Sequence, residues 1–253
     1  MCLLLLAWNA HPDYPFVFAG NRDEMHTRAT RQAHWWEDVP EVLGGRDLQA
    51  GGSWLGIGRD GRFAVVTNYR DGRRSDKTAR SRGLLVSDFL ASSQSPEEFT
   101  ALLDSTAHGY TGFNLLFGNR QEIHYFSNRG GSNGQLADGI HGLSNHLLNT
   151  PWPKVERLRQ GVTNMLQDEP DEQRMLEILA DRKQADDALL PDTGVGRETE
   201  KLLSAPFIVG DRYGTRASTV IIVHRDGSVL FIERNVNNKG NETDTNRFNF
   251  QLE

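Results

Sequence analysis

Cys2-Leu3-Leu4-Leu5-Leu6-Ala7-Trp8 is an apolar run, and Tyr14 to Arg22 is a second; between them lies Asn9-Ala10-His11-Pro12-Asp13, which has turn chemistry and little else. The pair reads as a β-hairpin. The first run does not alternate apolar with polar residues, so its strand must be covered on both faces, which requires a layered architecture. The second run closes on four polar residues, Asn21-Arg22-Asp23-Glu24, where a site can open.

Outward from this hairpin, a Trp-rich connector (His34-Trp35-Trp36) leads to a second one. Its strands are Trp54 to Gly58 and Phe63 to Asn68, turned by Arg59-Asp60-Gly61-Arg62, while Gly44-Gly45 and Gly51-Gly52 read as strand-end turns. The period becomes helical from Ser81 to Ser92, with Leu84, Leu85, Phe89 and Leu90 on one side. Ser95-Pro96-Glu97-Glu98 supplies an N-cap, a proline at N1 and a glutamate at N3, so another helix opens there and runs to about Thr106. Strands are expected at Phe113 to Phe117 and Glu122 to Phe126, and a short one ending in His141 to Asn145. Helices are expected at Lys154 to Leu166 and Asp171 to Ala180, and Asp181 to Leu203 reads mainly as loop. Thr219 to His224, Ser228 to Arg234 and Arg247 to Leu252 complete the strands. The order describes an α+β protein with helices segregated onto sheet faces, one domain over residues 1–253.

A net charge of -6 argues against a dedicated nucleic-acid or anionic-membrane surface, the basic run being confined to Arg70 through Arg82. No stretch approaches the roughly 18 apolar residues of a membrane helix. One cysteine excludes an internal disulfide, and the cytoplasm is the expected compartment. No His-x-x-x-His falls on a credible helix, so no metal site is expected.

That cysteine is Cys2. Removal of Met1 would give one residue both a thiol and a free α-amine, with ordinary pKa values of about 8.5 and about 7.7–8.0, and hence a nucleophile carrying its own base. Hydrolysis of an amide or thioester also needs donors for the developing oxyanion, which Asn68 or Asn145 can supply, and positive charge near the sulfur, which Arg22 or Arg216 can supply. Asp23 can hold the terminal amine. Consecutive strand residues point to opposite faces, so a regular strand cannot aim both Arg22 and Asp23 at Cys2. Either a bulge or turn begins at Gly20-Asn21, or one of the two faces away.

Met1-Cys2, Asn21-Arg22-Asp23-Glu24, Gly52-Ser53-Trp54-Leu55-Gly56-Ile57, Thr67-Asn68-Tyr69, Gly112-Phe113-Asn114-Leu115, Gly142-Leu143-Ser144-Asn145, Thr150-Pro151-Trp152-Pro153-Lys154 and Tyr213-Gly214-Thr215-Arg216 occur in that order. With these segments the chain resembles the NRDE family, also called the transport and Golgi organisation 2 family. That family is similar in turn to N-terminal nucleophile hydrolases. The resemblance implies a four-layer αββα sandwich of two stacked, mostly antiparallel sheets. It implies Cys2 as nucleophile, Arg22 and Asp23 beside it, Asn68 and Asn145 near the oxyanion and Arg216 supporting the thiolate. Asn21, Trp54 and Tyr69, within the same segments, are the candidate substrate-binding residues. Two functions follow as expectations. One is a cysteine hydrolase of a small acyl substrate, a non-peptide amide or a thioester, which needs no cofactor. The alternative is a non-catalytic intracellular carrier holding haem, acyl-CoA or lipid in the same pocket. A carried haem needs an axial ligand, for which Cys2 and the eight histidines are the candidates, His26, His34, His141 and His146 lying nearest the site segments in sequence.

Overall fold

The computed structural model describes residues 2–74 and 80–253. The opening hairpin forms as β1 (Cys2–Trp8) and β2 (Phe16–Met25), paired in register from Cys2↔Arg22 to Trp8↔Phe16. Seven strands follow through the middle of the chain: β3 (Thr30–Trp35), β4 (Val42–Asp47), β5 (Leu55–Gly58), β6 (Phe63–Asn68), β7 (Phe113–Gly118), β8 (Ile123–Ser127) and β9 (Gly134–Gln135). These make one antiparallel sheet in sequence order. The strands β10 (Gly139–Leu143), β11 (Tyr213–Val223), β12 (Ser228–Val236) and β13 (Glu242–Gln251) join the opening hairpin in the second sheet, ordered β10-β1-β2-β11-β12-β13. β1 and β2 therefore lie inside their sheet, and the second sheet needs chain from both ends of the sequence.

Helices α1 (Gly83–Leu90) and α2 (Pro96–Thr106) cover the outer face of the seven-stranded sheet, burying Leu85, Phe89 and Phe99 against Phe113 and Phe117. Ser95 and Glu98 form the expected capping box at the start of α2. Helices α3 (Pro153–Met165) and α4 (Glu172–Leu179) cover the six-stranded sheet, with Val155, Leu158 and Leu176 packed on Leu3, Leu5 and Val17. Cys2, Leu4, Leu6 and Trp8 face the other way, into the core between the sheets. The layers are helix, sheet, sheet, helix, and the missing alternation in β1 has its cause: both of its faces are buried.

Two expectations are corrected. The Trp-rich connector is strand β3, and Gly44-Gly45 lies inside β4. A Cβ on Gly44 would stand 2.5 Å from the Leu55 carbonyl oxygen, so close approach of β5 selects glycine there, with no turn involved. The stretch from Asp181 to Leu203 is mainly loop, as expected, interrupted by a 3₁₀ turn at Asp187–Leu189 and the short helix α5 (Arg197–Leu202). Part of the basic run, residues 75–79, lies outside the described residues.

Candidate active site

β1 pairs with β2 without a bulge, so the pleat decides which way the polar residues of the hairpin point. Arg22, directly opposite Cys2, shares its face with Phe16 and Phe18 and looks into the space between the sheets. Asn21 and Asp23 look toward α3 and α4. Asn21 Nδ2 donates to the carbonyls of Leu179 and Pro206, and Ser218 Oγ donates to Asn21 Oδ1 at 2.6 Å. Thr215 Oγ1 donates to Asp23 Oδ1 at 2.8 Å. The irregularity that the Arg22-Asp23 pair demanded is therefore resolved by one of them facing away. The bulge in this part of the sheet is on the neighbouring strand β11, between Thr215 and Ala217.

Cys2, Arg22, Trp54 and Asn68 line a cavity of about 450 Å³ at the end of the inter-sheet space. Asp23 borders it, and its backbone N–H donates to the Cys2 sulfur. Cys2 is 7 % exposed, and burial pushes its thiol up, opposed first by the positive charge of the chain amino terminus, reinforced by the Asp23 charge, and opposed further by that N–H and by Arg22. Arg22 is itself 7 % exposed, yet its guanidinium has no hydrogen bond or ion pair to any described residue, which leaves it free for a charge arriving in the cavity. The Asn68 side-chain amide likewise has no partner among the described residues and lies on the same wall.

The other expected residues stand apart from this group. Asn145 is fully buried behind the wall, with Nδ2 donating to the Asn68 carbonyl at 2.9 Å and Oδ1 3.1 Å from Ser144 Oγ, which also reaches the Cys2 carbonyl at 2.9 Å. It ties the start of β1 to the end of β6, across the two sheets. Arg216 occupies the bulge and donates through Nη1 to the carbonyls of Met25, His26 and Arg28. It borders a separate cavity of about 130 Å³, which meets the larger one at Arg22 and Trp54. The Tyr69 ring lies against His146, with centroids 5.1 Å apart, away from the Cys2 cavity. None of His26, His34, His141 and His146 lines the cavity, and no cluster of three metal-ligating side chains occurs among the described residues.

Several residues on or behind the wall escaped the sequence reading. Arg28 and Asp47 form a two-point ion pair on the cavity wall, with Nη2–Oδ2 at 2.6 Å and Nε–Oδ1 at 3.2 Å. Arg82, just ahead of α1, lines the cavity and donates to the Gly112 carbonyl at 3.2 Å. In the first turn of α3, Lys154 is 2 % exposed and its Nζ has no hydrogen-bond partner among the described residues. Burial pulls its ammonium from 10.5 down to about 8, against the attraction of Asp23. Arg70 pairs with Glu200 of α5 at 3.0 Å with both side chains 4 % exposed, and its guanidinium lies 4.5 Å from the Trp152 ring centroid. The sequence does carry one signal for Lys154. A lysine in the first turn of a helix sits against the positive end of the helix dipole, so its presence there calls for another explanation.

Two stacked antiparallel sheets between helix layers, with Cys2 beginning a central strand and facing the inter-sheet cavity, define a protein of the N-terminal nucleophile hydrolase fold. Two solved structures share that fold. The Caenorhabditis elegans N-acylethanolamine-hydrolyzing acid amidase ortholog superposes with a TM-score of 0.53 at 12% identity, over 87% of this chain and 92% of its own. A point variant of conjugated bile acid hydrolase from Clostridium perfringens gives 0.50 at 10% identity, over 100% and 98%. The sequence model of the Transport and Golgi organisation 2 family matches residues 1–238, and the chain belongs to that family. The Bos taurus Transport and Golgi organization protein 2 homolog is 36% identical to it across 93% of each chain. No helix among the described residues is long and apolar enough to cross a membrane.

Proposed function

We propose that the protein is a cysteine-dependent acyl hydrolase in which Cys2, freed of Met1, attacks the carbonyl carbon of an amide or thioester. The observation that carries this reading is that the Cys2 thiol and the Arg22 guanidinium, which has no partner among the described residues, stand on one face of the opening hairpin, both lining one cavity. The two structural neighbours named for amidase and bile acid hydrolase activity support acyl transfer as the reaction class.

The raised proton affinity of the thiol makes a base necessary, and the α-amine of Cys2 is the base in reach by construction. The amine takes the thiol proton while the sulfur bonds to the carbonyl carbon. As the tetrahedral intermediate collapses, the bond to the leaving nitrogen or sulfur breaks and that group receives the proton from the ammonium. Water, deprotonated by the same amine, then attacks the thioester, releasing the acid and restoring the thiol. Asn68 donates to the oxyanion, and Arg22 stabilises the thiolate as it forms. Asn145 keeps its place as the tie that holds the Asn68 backbone against Ser144.

Intact-mass measurement should show a chain lacking Met1. On a panel of amides and acyl thioesters, Cys2→Ala should abolish both turnover and the burst of acyl-enzyme. Turnover surviving in Cys2→Ala would overturn the reading.

A further inference from the structure

Among the described residues four arginines line the Cys2 cavity, and they are not equally occupied. Arg28 is neutralised by Asp47 at 2.6 Å. Arg80 stands 3.7 Å from Asp88, with its guanidinium 5.0 Å from the Tyr110 ring centroid. Arg82 makes a single side-chain hydrogen bond, to the Gly112 carbonyl at 3.2 Å, and Arg22 makes none; neither forms an ion pair with a described residue. Three carboxylates line the same cavity, and each has a partner elsewhere. Asp47 holds Arg28, Asp23 accepts from the Thr215 hydroxyl at 2.8 Å, and Glu24 accepts from the Met25 backbone N–H at 2.8 Å. No side-chain nitrogen of Arg22 or Arg82 is both sealed in the protein and without a partner, so their spare N–H groups open on accessible space, and the space the two residues share is the Cys2 cavity.

Arg82 also stands at the wrong end of a helix for a cation that serves structure alone. It is half-buried where α1 begins, at the positive end of the helix dipole; the first turn of α1 holds no acidic residue, and no side chain caps it. A cation partly out of water at that position is costly unless a negative charge comes to it. The start of α1, with its own N–H groups and dipole, favours an anion, and it opens on the cavity through Gly83. Arg22, on the neighbouring strand to Cys2, is the independent sign that negative charge belongs in this space: it is 7 % exposed and lines the same cavity with nothing to pair with.

We propose that the Cys2 site takes acyl substrates that carry a second, anionic group, a compact oxyanion such as a carboxylate or a phosphate, and that Arg82 is the specificity-determining residue that holds this group at the start of α1. Arg22, directly opposite Cys2, is left to the sulfur, so the two unpaired cations divide between the thiolate and the charge on the substrate. The cavity of about 450 Å³ has room for the scissile carbonyl and the anion together.

This inference rests on the reading of Cys2 as the nucleophile, and its test measures charge selectivity at the sulfur, so it can fail where turnover is seen and succeed where none is. Cys2 of the full-length protein is alkylated at pH 8 with anionic iodoacetate and, separately, with neutral iodoacetamide, and both rates are read by intact mass in wild type, Arg82→Gln and Arg82→Lys. The ratio of the anionic to the neutral rate should fall about fivefold in Arg82→Gln and be kept in Arg82→Lys. A packing disturbance slows or speeds both reagents together and leaves the ratio alone. An unchanged ratio in Arg82→Gln, or an equal fall in both variants, overturns the proposal. Butyrate and butyl phosphate, compared with butanol as protectants of Cys2 against iodoacetamide, tell which oxyanion the site takes, and protection no better than that of butanol by either one overturns the proposal as well. If neither reagent labels Cys2, calorimetric titration of the same two anions into wild type and Arg82→Gln decides instead: tighter binding to wild type supports the proposal, and equal or absent binding overturns it.

Discussion

Arg22 is the residue on which the chemistry of the cavity turns, because it is nearly buried, faces Cys2 and answers to no carboxylate at ion-pair distance among the described residues. The buried Glu233 beyond it gives its main hydrogen bond elsewhere, accepting from the Ala33 backbone N–H at 2.7 Å. Arg22→Gln should therefore leave folding nearly intact while removing the positive charge that favours a thiolate. The sign is fixed: loss of a cation raises the thiol pKa further, so at pH 7 alkylation of Cys2 should slow by about tenfold, for a shift of about one unit, and converge with wild type at high pH. Equal rates at pH 7 would remove Arg22 from the site. That a regular strand cannot aim both Arg22 and Asp23 at the sulfur, so that the strand must bulge or one of the two must turn away, was legible from the period of a strand alone. Which one turned away was not, since it depends on the register of β1 against β2. Asn145 shows the same limit. Sequence reveals an asparagine at a strand end, whereas its separation from the cavity by Ser144 and the Asn68 backbone is a fact of how β6 and β10 meet.

The elements were legible where local chemistry determined them. Ser95, Pro96 and Glu98 mark the start of α2 without any tertiary information, and the two-faced burial of β1 shows as an unbroken apolar run. Elements that owe their form to neighbours were not. β4 contains Gly44 because β5 presses on it, and a glycine selected by close approach looks the same in sequence as one selected by a turn. Gly52 is a more consequential case of the same kind. A Cβ there would stand 2.2 Å from the Gly83 carbonyl carbon at the start of α1, where Ser53 N–H donates to the Gly83 carbonyl oxygen at 3.0 Å. Ser53 and Gly83 both line the Cys2 cavity, so Gly52→Ala forces the α1 wall outward. The expected cost is about 1–3 kcal/mol of stability, read by denaturant titration, with loss of activity in a protein whose Cys2 and Arg22 are untouched. Wild-type stability and activity would show that the contact is slack.

On the scale of the whole molecule, β1 is the strand shared by two cores. Leu4 fills the space between the sheets, and Leu5 fills the space between the six-stranded sheet and α3/α4. In a sheet with one solvated face, one of these adjacent substitutions would be cheap. Here both are fully buried, and Leu4→Ala and Leu5→Ala should each cost about 2–5 kcal/mol, the range for truncating a buried leucine. The same sharing bears on cooperativity. Since β1 and β2 pass their side chains alternately into both cores, the α3/α4 layer has no means of loosening without disturbing the strand that carries Cys2. Unfolding followed by far-UV circular dichroism and by tryptophan fluorescence should thus give one coincident transition, lowered in each variant; Trp8 reports on the inter-sheet core and Trp152 on the helical side. A separate early transition confined to Leu5→Ala would mean that the helical layer is held independently. In that case the buried charges of Lys154 and Asp23 would stand at a boundary between two folding units.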